Sequence, residues 1–246
     1  MVHWPKFCYH ALVGLNIKIT NKIDDAAEFI FASIFEQLKS NKKVLFFLTG
    51  GSAIAVGAKV AELLRNISDK NLIKNLTISL TDERYGDVGH KDSNWQQLLE
   101  NGFSLAQAKL IPILTGENRD IAVEKFNENL ERKFKRADYK IGLFGIGADG
   151  HTAGILPESS AVNAEAYAFG YKTEKFERIT ITPKMIEKLD EAIIWAQGEN
   201  KWPIIKNLLE APTESVGKNN LDISKQPAQI LKKVPLLTIF TDYNNI

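Results

Sequence analysis

Asp149 and His151 stand two residues apart inside a glycine-punctuated stretch, residues 141–157, that reads IGLFGIGADGHTAGILP. Residues 141–144 have the continuous apolar character of a strand covered on both faces, and Gly145, Gly147 and Gly150 follow as a turn. A strand that stops at such a bend delivers its next residues to the end of a sheet, where open α/β proteins keep their ligands. There the imidazole is a candidate general base and the carboxylate a group to orient it. The competing description is a tight turn whose Asp and His are merely solvated.

Three further constellations carry chemistry. Thr49-Gly50-Gly51-Ser52 follows the apolar run VLFFL. Two glycines let backbone approach a ligand closely, and a helix starting at Ser52 would turn unpaired N–H groups toward an anion. Ser52 suits a phosphate contact or an N-cap. No Gly-Lys-Ser/Thr follows, so this is not a Walker loop, and the G-x-S-x-G elbow of a serine nucleophile is absent. Next come Thr81-Asp82-Glu83-Arg84-Tyr85 and then His90, Ser93 and Asn94. Three charges ending an apolar strand must pair with one another or with a ligand; the plain alternative is a surface salt-bridge cluster. Last are two cations, Arg178 opening RITIT and Lys201 after AIIWA. Arginine suits bidentate phosphate contact and lysine adds a point charge, although each alone also fits an ordinary surface cation.

Alternating strand-like and helix-like segments must position these groups. Strands are predicted at 44–48, 76–80, 110–114, 141–144, 178–182, 191–196 and 236–240, and helices at 52–65, 93–99, 121–134 and 200–209. This rhythm predicts an α/β, Rossmann-like three-layer fold, a mostly parallel sheet covered by helices on both faces. The 246 residues, 44% of them hydrophobic, are expected to form one domain over 1–246. The polar stretch 211–226 is expected as a surface loop. Trp4, Phe7 and Tyr9 suggest that the N-terminal segment docks on the core.

A formal charge of +1, from 31 Lys and Arg against 30 Asp and Glu, gives no reason to invoke nucleic acid or an anionic membrane. Cys8 is the single cysteine and the four His include no H-x-x-x-H pair, so no intrachain disulfide, cysteine cluster or metal site is expected. The first residues, broken by Pro5, Lys6 and His10, lack the apolar core of a secretion signal, and the apolar runs are strand-sized. A cytoplasmic protein is the expectation.

The ordered set of a GGS turn, Asp-Glu-Arg after the next strand, His-x-x-Ser-Asn, GxGxDGHTA with a downstream Pro, ERITIT and GENK resembles the 6-phosphogluconolactonase family over residues 16–240. That resemblance implies metal- and cofactor-independent hydrolysis of 6-phosphogluconolactone, a phosphosugar lactone, in the pentose phosphate pathway, by a monomer or homodimer. It implies that His151 deprotonates the attacking water, supported by Asp149. Asp82 and Arg84 would join them as catalytic residues lining the sugar pocket. Gly50, Gly51, Ser52, Arg178 and Lys201 would hold the phosphate. Arg84 and the backbone N–H groups of residues 145–150 are the candidate oxyanion donors.

Two departures from the family wording stand out. Ala53-Ile54 replaces Thr-Pro after GGS, which removes a hydroxyl and frees the first helical turn. Gly154-Ile155-Leu156-Pro157-Glu158 replaces Ser-Leu-Phe-Pro-Gly. The sister glucosamine-6-phosphate deaminase/isomerases carry a catalytic Glu where this chain has Leu156, and an apolar side chain does no acid–base work. A catalytically inactive phosphosugar-binding protein is the third alternative, although no spare DNA-binding module is evident.

Overall fold

A computed structural model describes residues 14–210 and 222–244. The segment holding Trp4, Phe7 and Tyr9, and most of the loop predicted at 211–226, lie outside the described residues. The first two elements, strand β1 (Leu15–Ile19) and helix α1 (Ile23–Lys39), were not foreseen from the sequence. α1 buries Ala26, Ala27, Ile30, Ile34 and Leu38, a stripe at helical spacing.

Strand β2 (Val44–Leu48) buries all five residues, as a run without a polar face must. A 3₁₀ turn (Gly51–Ala53) then leads into α2 (Ile54–Arg65), and the short helix α3 (Lys70–Ile73) precedes β3 (Leu76–Leu80). Next come β4 (Asp82–Arg84), α4 (Asn94–Glu100), β5 (Lys109–Ile111), α5 (Arg119–Phe134) and β6 (Tyr139–Gly145). The chain continues through β7 (Ala168–Lys172), β8 (Glu177–Ile181), α6 (Pro183–Ile186), β9 (Glu191–Ala196), α7 (Trp202–Leu209) and β10 (Leu236–Thr241). Most predicted elements are present with shifted ends; the strand predicted at 110–114 shrinks to β5, ahead of Pro112.

Seven strands form one parallel sheet in the order β1-β10-β9-β6-β2-β3-β5. Successive residues of β2 and β9 are all buried, so both faces of the sheet are covered. Strand order runs outward from β2 through β3 to β5, then returns to the other side of β2 with β6. The switch point therefore lies between β2 and β6, and the two glycine-rich turns both leave the sheet there.

A second sheet, antiparallel in the order β4-β8-β7, was not foreseen. It pairs Asp82 with Thr180 and Arg84 with Arg178. Three consecutive charges read as a loop after an apolar strand, because a strand this short has no apolar alternation to announce it. The buried apolar side chains form one continuous cluster among the described residues.

Candidate active site

A cavity of about 290 Å³ opens at the switch point. Gly50, Gly51, Ser52, Asp82, Arg84, His151, Arg178 and Lys201 all line it. Asp149 stands behind His151, so the fold gathers all nine residues singled out from the sequence. Thr49, Asn94, Gly145, Ile146, Gly147, Ala153 and Gly154 complete the lining.

The β6 turn builds the acid–imidazole pair. His151 Nδ1 lies 2.6 Å from Asp149 Oδ1, which also accepts the His151 backbone N–H at 3.1 Å. With the Nδ1 proton directed at Asp149, the Nε2 lone pair of a neutral ring is left as the basic site. Burial works against Asp149 ionisation, but the His151 backbone N–H and the charge and hydrogen bond of its ring prevail, holding the carboxyl below its usual range. Gly147 is required by space: a side chain there would collide with the imidazole and with Asp149. The turn also uses two of its own donors, Gly147 N–H to the His151 carbonyl at 2.9 Å and Gly150 N–H to the Gly147 carbonyl at 3.0 Å. That removes two of the backbone groups considered for an oxyanion.

The chain then doubles back. Ile155 N–H donates to the Thr152 carbonyl at 2.8 Å, and both intervening residues have positive φ, +51° at Ala153 and +70° at Gly154. This is the pattern of a type I′ hairpin turn, which favours glycine at its second position. A Cβ at Gly154 would stand 2.5 Å from Asp82 Oδ2. The Gly154 departure from the family wording thus seats this turn directly on the Asp82 carboxylate. Leu156, where the deaminases carry glutamate, donates its N–H to Tyr171 OH at 3.2 Å.

The small sheet supplies the charged wall. Period-two alternation along β4 sends Asp82 and Arg84 to the cavity and Glu83 to the opposite side. Asp82 and Arg178 pair at 3.2 Å with 6% and 12% of their side chains exposed. Glu83, 1% exposed, receives Ser93 Oγ and the N–H groups of Asn94 and Trp95 at 2.9, 2.6 and 3.0 Å. It therefore satisfies the start of α4. Burial pushes its carboxyl up against the pull of those donors. His90 turns its Nε2 toward the Arg84 carbonyl, 2.9 Å away. The charges are not a surface salt-bridge cluster; Glu83, Ser93 and His90 support the strand that presents Asp82 and Arg84.

Asn94 takes no part in the expected set of site residues although it belongs to His-x-x-Ser-Asn. Its Nδ2 donates to the Asp82 carbonyl at 2.9 Å, and its Oδ1 is buried without a protein partner. Arg84 Nε and Arg178 Nε are buried and unpartnered as well. Buried polar atoms without partners are uncommon; all three belong to residues that line the cavity, although the atoms themselves are closed off from it.

The third wall joins two loops. Lys201 Nζ donates to Ser52 Oγ at 3.3 Å. Burial lowers the Lys201 pKa, against the opposing charge of Asp242. Asp242 itself accepts from Gly198 N–H at 3.0 Å and Trp202 Nε1 at 3.0 Å, which fixes the turn carrying Lys201. Ser52 is not an N-cap: neither the 3₁₀ turn nor α2 has a side-chain cap bond. Gly51, at φ +67° with open space where a Cβ would be, is needed for conformation rather than for clearance. Ala53 is fully buried and does not line the cavity, so a threonine hydroxyl there would sit in the core and not on the ligand.

Among the described residues, no three His, Cys, Asp or Glu side chains are grouped to hold a metal ion. No helix among them is long and apolar enough to cross a membrane.

A doubly wound sheet with a cationic, imidazole-bearing cleft at its switch point defines an α/β protein built to hold a small anion. The chain belongs to the family described as glucosamine-6-phosphate isomerases/6-phosphogluconolactonase, whose profile matches residues 19–235. It is 29% identical over 198 residues to the 6-phosphogluconolactonase of Helicobacter pylori, covering 72% of this chain and 85% of that protein. A Chlamydia pneumoniae 6-phosphogluconolactonase is 28% identical over 151 residues, covering 56% of this chain and 58% of the relative. The fold matches the crystal structure of 6-phosphogluconolactonase from Thermotoga maritima with a TM-score of 0.74 at 19% identity, covering 93% and 98% of the two chains. It matches the Plasmodium vivax 6-phosphogluconolactonase with a TM-score of 0.75 at 21% identity, over 96% and 94%.

Proposed function

We propose that the chain hydrolyses 6-phosphoglucono-1,5-lactone to 6-phosphogluconate, acting as one domain over its whole length. The observation that carries this is the His151–Asp149 pair, held in one cavity with Arg84, Arg178 and Lys201. A lactone needs an activated water on one face of its carbonyl and charge stabilisation for the oxygen. His151 Nε2 takes the proton of water as the oxygen attacks the ring carbonyl, and Asp149 stabilises the imidazolium that forms. Collapse of the tetrahedral intermediate breaks the bond to the ring oxygen, which takes the proton back from His151. The product is an open-chain hydroxy acid.

Lys201, Ser52 and Arg178 hold the phosphate, with Gly50 and Gly51 letting backbone approach it. Binding this remote group fixes the carbonyl in line with the base. Arg84 stands beside Arg178 on the anion wall, and Gly147 and Gly150 have spent their N–H groups inside the turn. Asp82 fixes Arg178. Leu156 supports hydrolysis over deamination, because the position where the isomerases carry glutamate offers no proton. Action in the cytoplasm, as a monomer or homodimer with no nucleic-acid or membrane partner, belongs to the same reading.

The test is the rate of hydrolysis of freshly prepared lactone over its spontaneous rate, for wild type and His151→Ala. Acceleration that disappears in the variant supports the reading. Folded wild type that binds 6-phosphogluconate without accelerating hydrolysis would leave a phosphosugar-binding protein instead.

A further inference from the structure

Arg84 and Arg178 are direct partners across the β4–β8 ladder, so both side chains leave the same face of the small sheet. Like charges in that position repel. Arg178 has a carboxylate partner in Asp82, whereas the Arg84 Nη1 bond goes to the uncharged Asp92 carbonyl at 2.9 Å. One ring lies against both. The Phe176 centroid is 5.2 Å from Arg84 Cζ and 5.5 Å from Arg178 Cζ. A guanidinium at this distance is attracted by the negative face of an aromatic ring, and here one ring serves two cations. The ring's own backbone is pinned: Thr173 N–H and Oγ1 both donate to the Phe176 carbonyl at 2.8 Å, and Phe176 N–H donates to Thr173 Oγ1 at 3.0 Å. Phe176 does not line the cavity; the two arginines do.

We propose that Phe176 is a positioning residue, a shared aromatic platform that holds the Arg84 and Arg178 guanidinium groups side by side so that they grip the substrate's anionic group as a pair. With Nη1 of each fork tied to the protein and the planes steadied by the ring, the other terminal nitrogen of each arginine is left for the ligand in the cavity that both residues line. The platform acts in binding and leaves the base untouched. This rests on the lactonase reading for the identity of the substrate, but not for the anion-binding behaviour itself.

The experiment compares Phe176→Leu, Phe176→Met, Phe176→Tyr and Phe176→Trp by calorimetric affinity for 6-phosphogluconate and for inorganic phosphate, with kcat, KM and thermal midpoint measured alongside. Leucine and methionine keep an apolar side chain but lose the ring face. Both are expected to raise Kd and KM about five- to tenfold, a loss in the range of a cation–π contact, with kcat within about twofold. Tyrosine and tryptophan are expected to stay within about twofold of wild type, since they retain the face. A role in packing alone would lower the midpoint of all four without separating aromatic from aliphatic variants. Equal anion affinity in the aromatic and aliphatic variants overturns the proposal, and methionine decides it if the leucine variant does not fold. Wild type that binds both anions but hydrolyses no lactone would remove the lactonase reading and still leave the platform decided by the affinities.

Discussion

The two sheets that meet at the cavity contribute in opposite ways. The large parallel sheet brings turns: β2 and β6 end in glycine-rich bends, Ser52 and Lys201 follow β2 and β9, and the proposed base, His151, is set by local bonds to Asp149. The small antiparallel sheet brings side chains: Asp82, Arg84 and Arg178 project from strands of three and five residues and are fixed by one another, by Phe176 and by the turn at Gly154. The first region is specified by chain neighbours and the second by tertiary pairing. On the proposed function the base belongs to the first and the arginine wall to the second, and substitutions should separate the two.

The largest expected effect is in the first region. His151→Ala removes the base and should lower kcat by about 10²–10⁴-fold, while the Kd for 6-phosphogluconate stays within about threefold. Arg178→Ala should do the reverse. It removes a cation from the anion site and strands Asp82, which is almost fully buried, without its partner. Breaking such a buried pair costs about 3–5 kcal/mol of stability, and losing the cation from the anion site should raise KM at least tenfold, with a smaller change in kcat. Stopped-flow hydrolysis and calorimetry on the two variants check the division. If both lose affinity equally and turn over bound substrate normally, the separation of the sheets fails.

Gly154→Ala tests the contact between the two regions. The new Cβ meets Asp82, at 2.5 Å from Oδ2 and 2.8 Å from its Cβ and Cγ, and alanine must also accept a φ of +70°. Such a position costs about 1–3 kcal/mol. A lower thermal midpoint is expected together with a raised KM, because displacing Asp82 frees Arg178. A loss of stability with unchanged KM would show that the turn and the anion wall are independent.

The same contrast explains what was legible in the sequence. Glycines following VLFFL and IGLF announce strand ends, because an apolar run with no polar face must be buried and a glycine cluster must turn. The acid–imidazole pair was legible because it is local, two residues apart. Asp82, Arg84 and Arg178 could be named only as charges in a resembling order; nothing in DER or ERITI marks them as cross-strand partners. Asn94 was visible in the motif, but its buried, unpartnered Oδ1 is a tertiary fact. Asp242 and Trp202, which fix the Lys201 turn, and Phe176 carried no local signal at all. α1 is the exception, an apolar stripe of plain helical period that the alternating rhythm of later segments overshadowed.

The smallest expected effect concerns how the pair at 149 and 151 is held. The Asp149 carboxyl is depressed in the folded chain, so its contribution to stability is fully present above its unfolded pKa of about 3.9 and is lost as pH falls through the lower folded value. Asp149→Asn has no such ionisation. The gap between wild type and variant should therefore be widest near neutrality and close as the pH drops below about 4. The side chains are 50% and 38% exposed, so solvent screening keeps the gap within the 0.2–1 kcal/mol range, roughly, of exposed ion pairs. Thermal midpoints from pH 7 down to pH 3 measure it. A gap that keeps its size over that span would mean that Asp149 holds the imidazole by hydrogen-bond geometry that asparagine reproduces equally at every pH, and that charge has no part in poising the base. A gap that closes ties the orientation of His151 to the ionised carboxylate, and with it the claim that the parallel sheet sets its chemistry through contacts two residues apart.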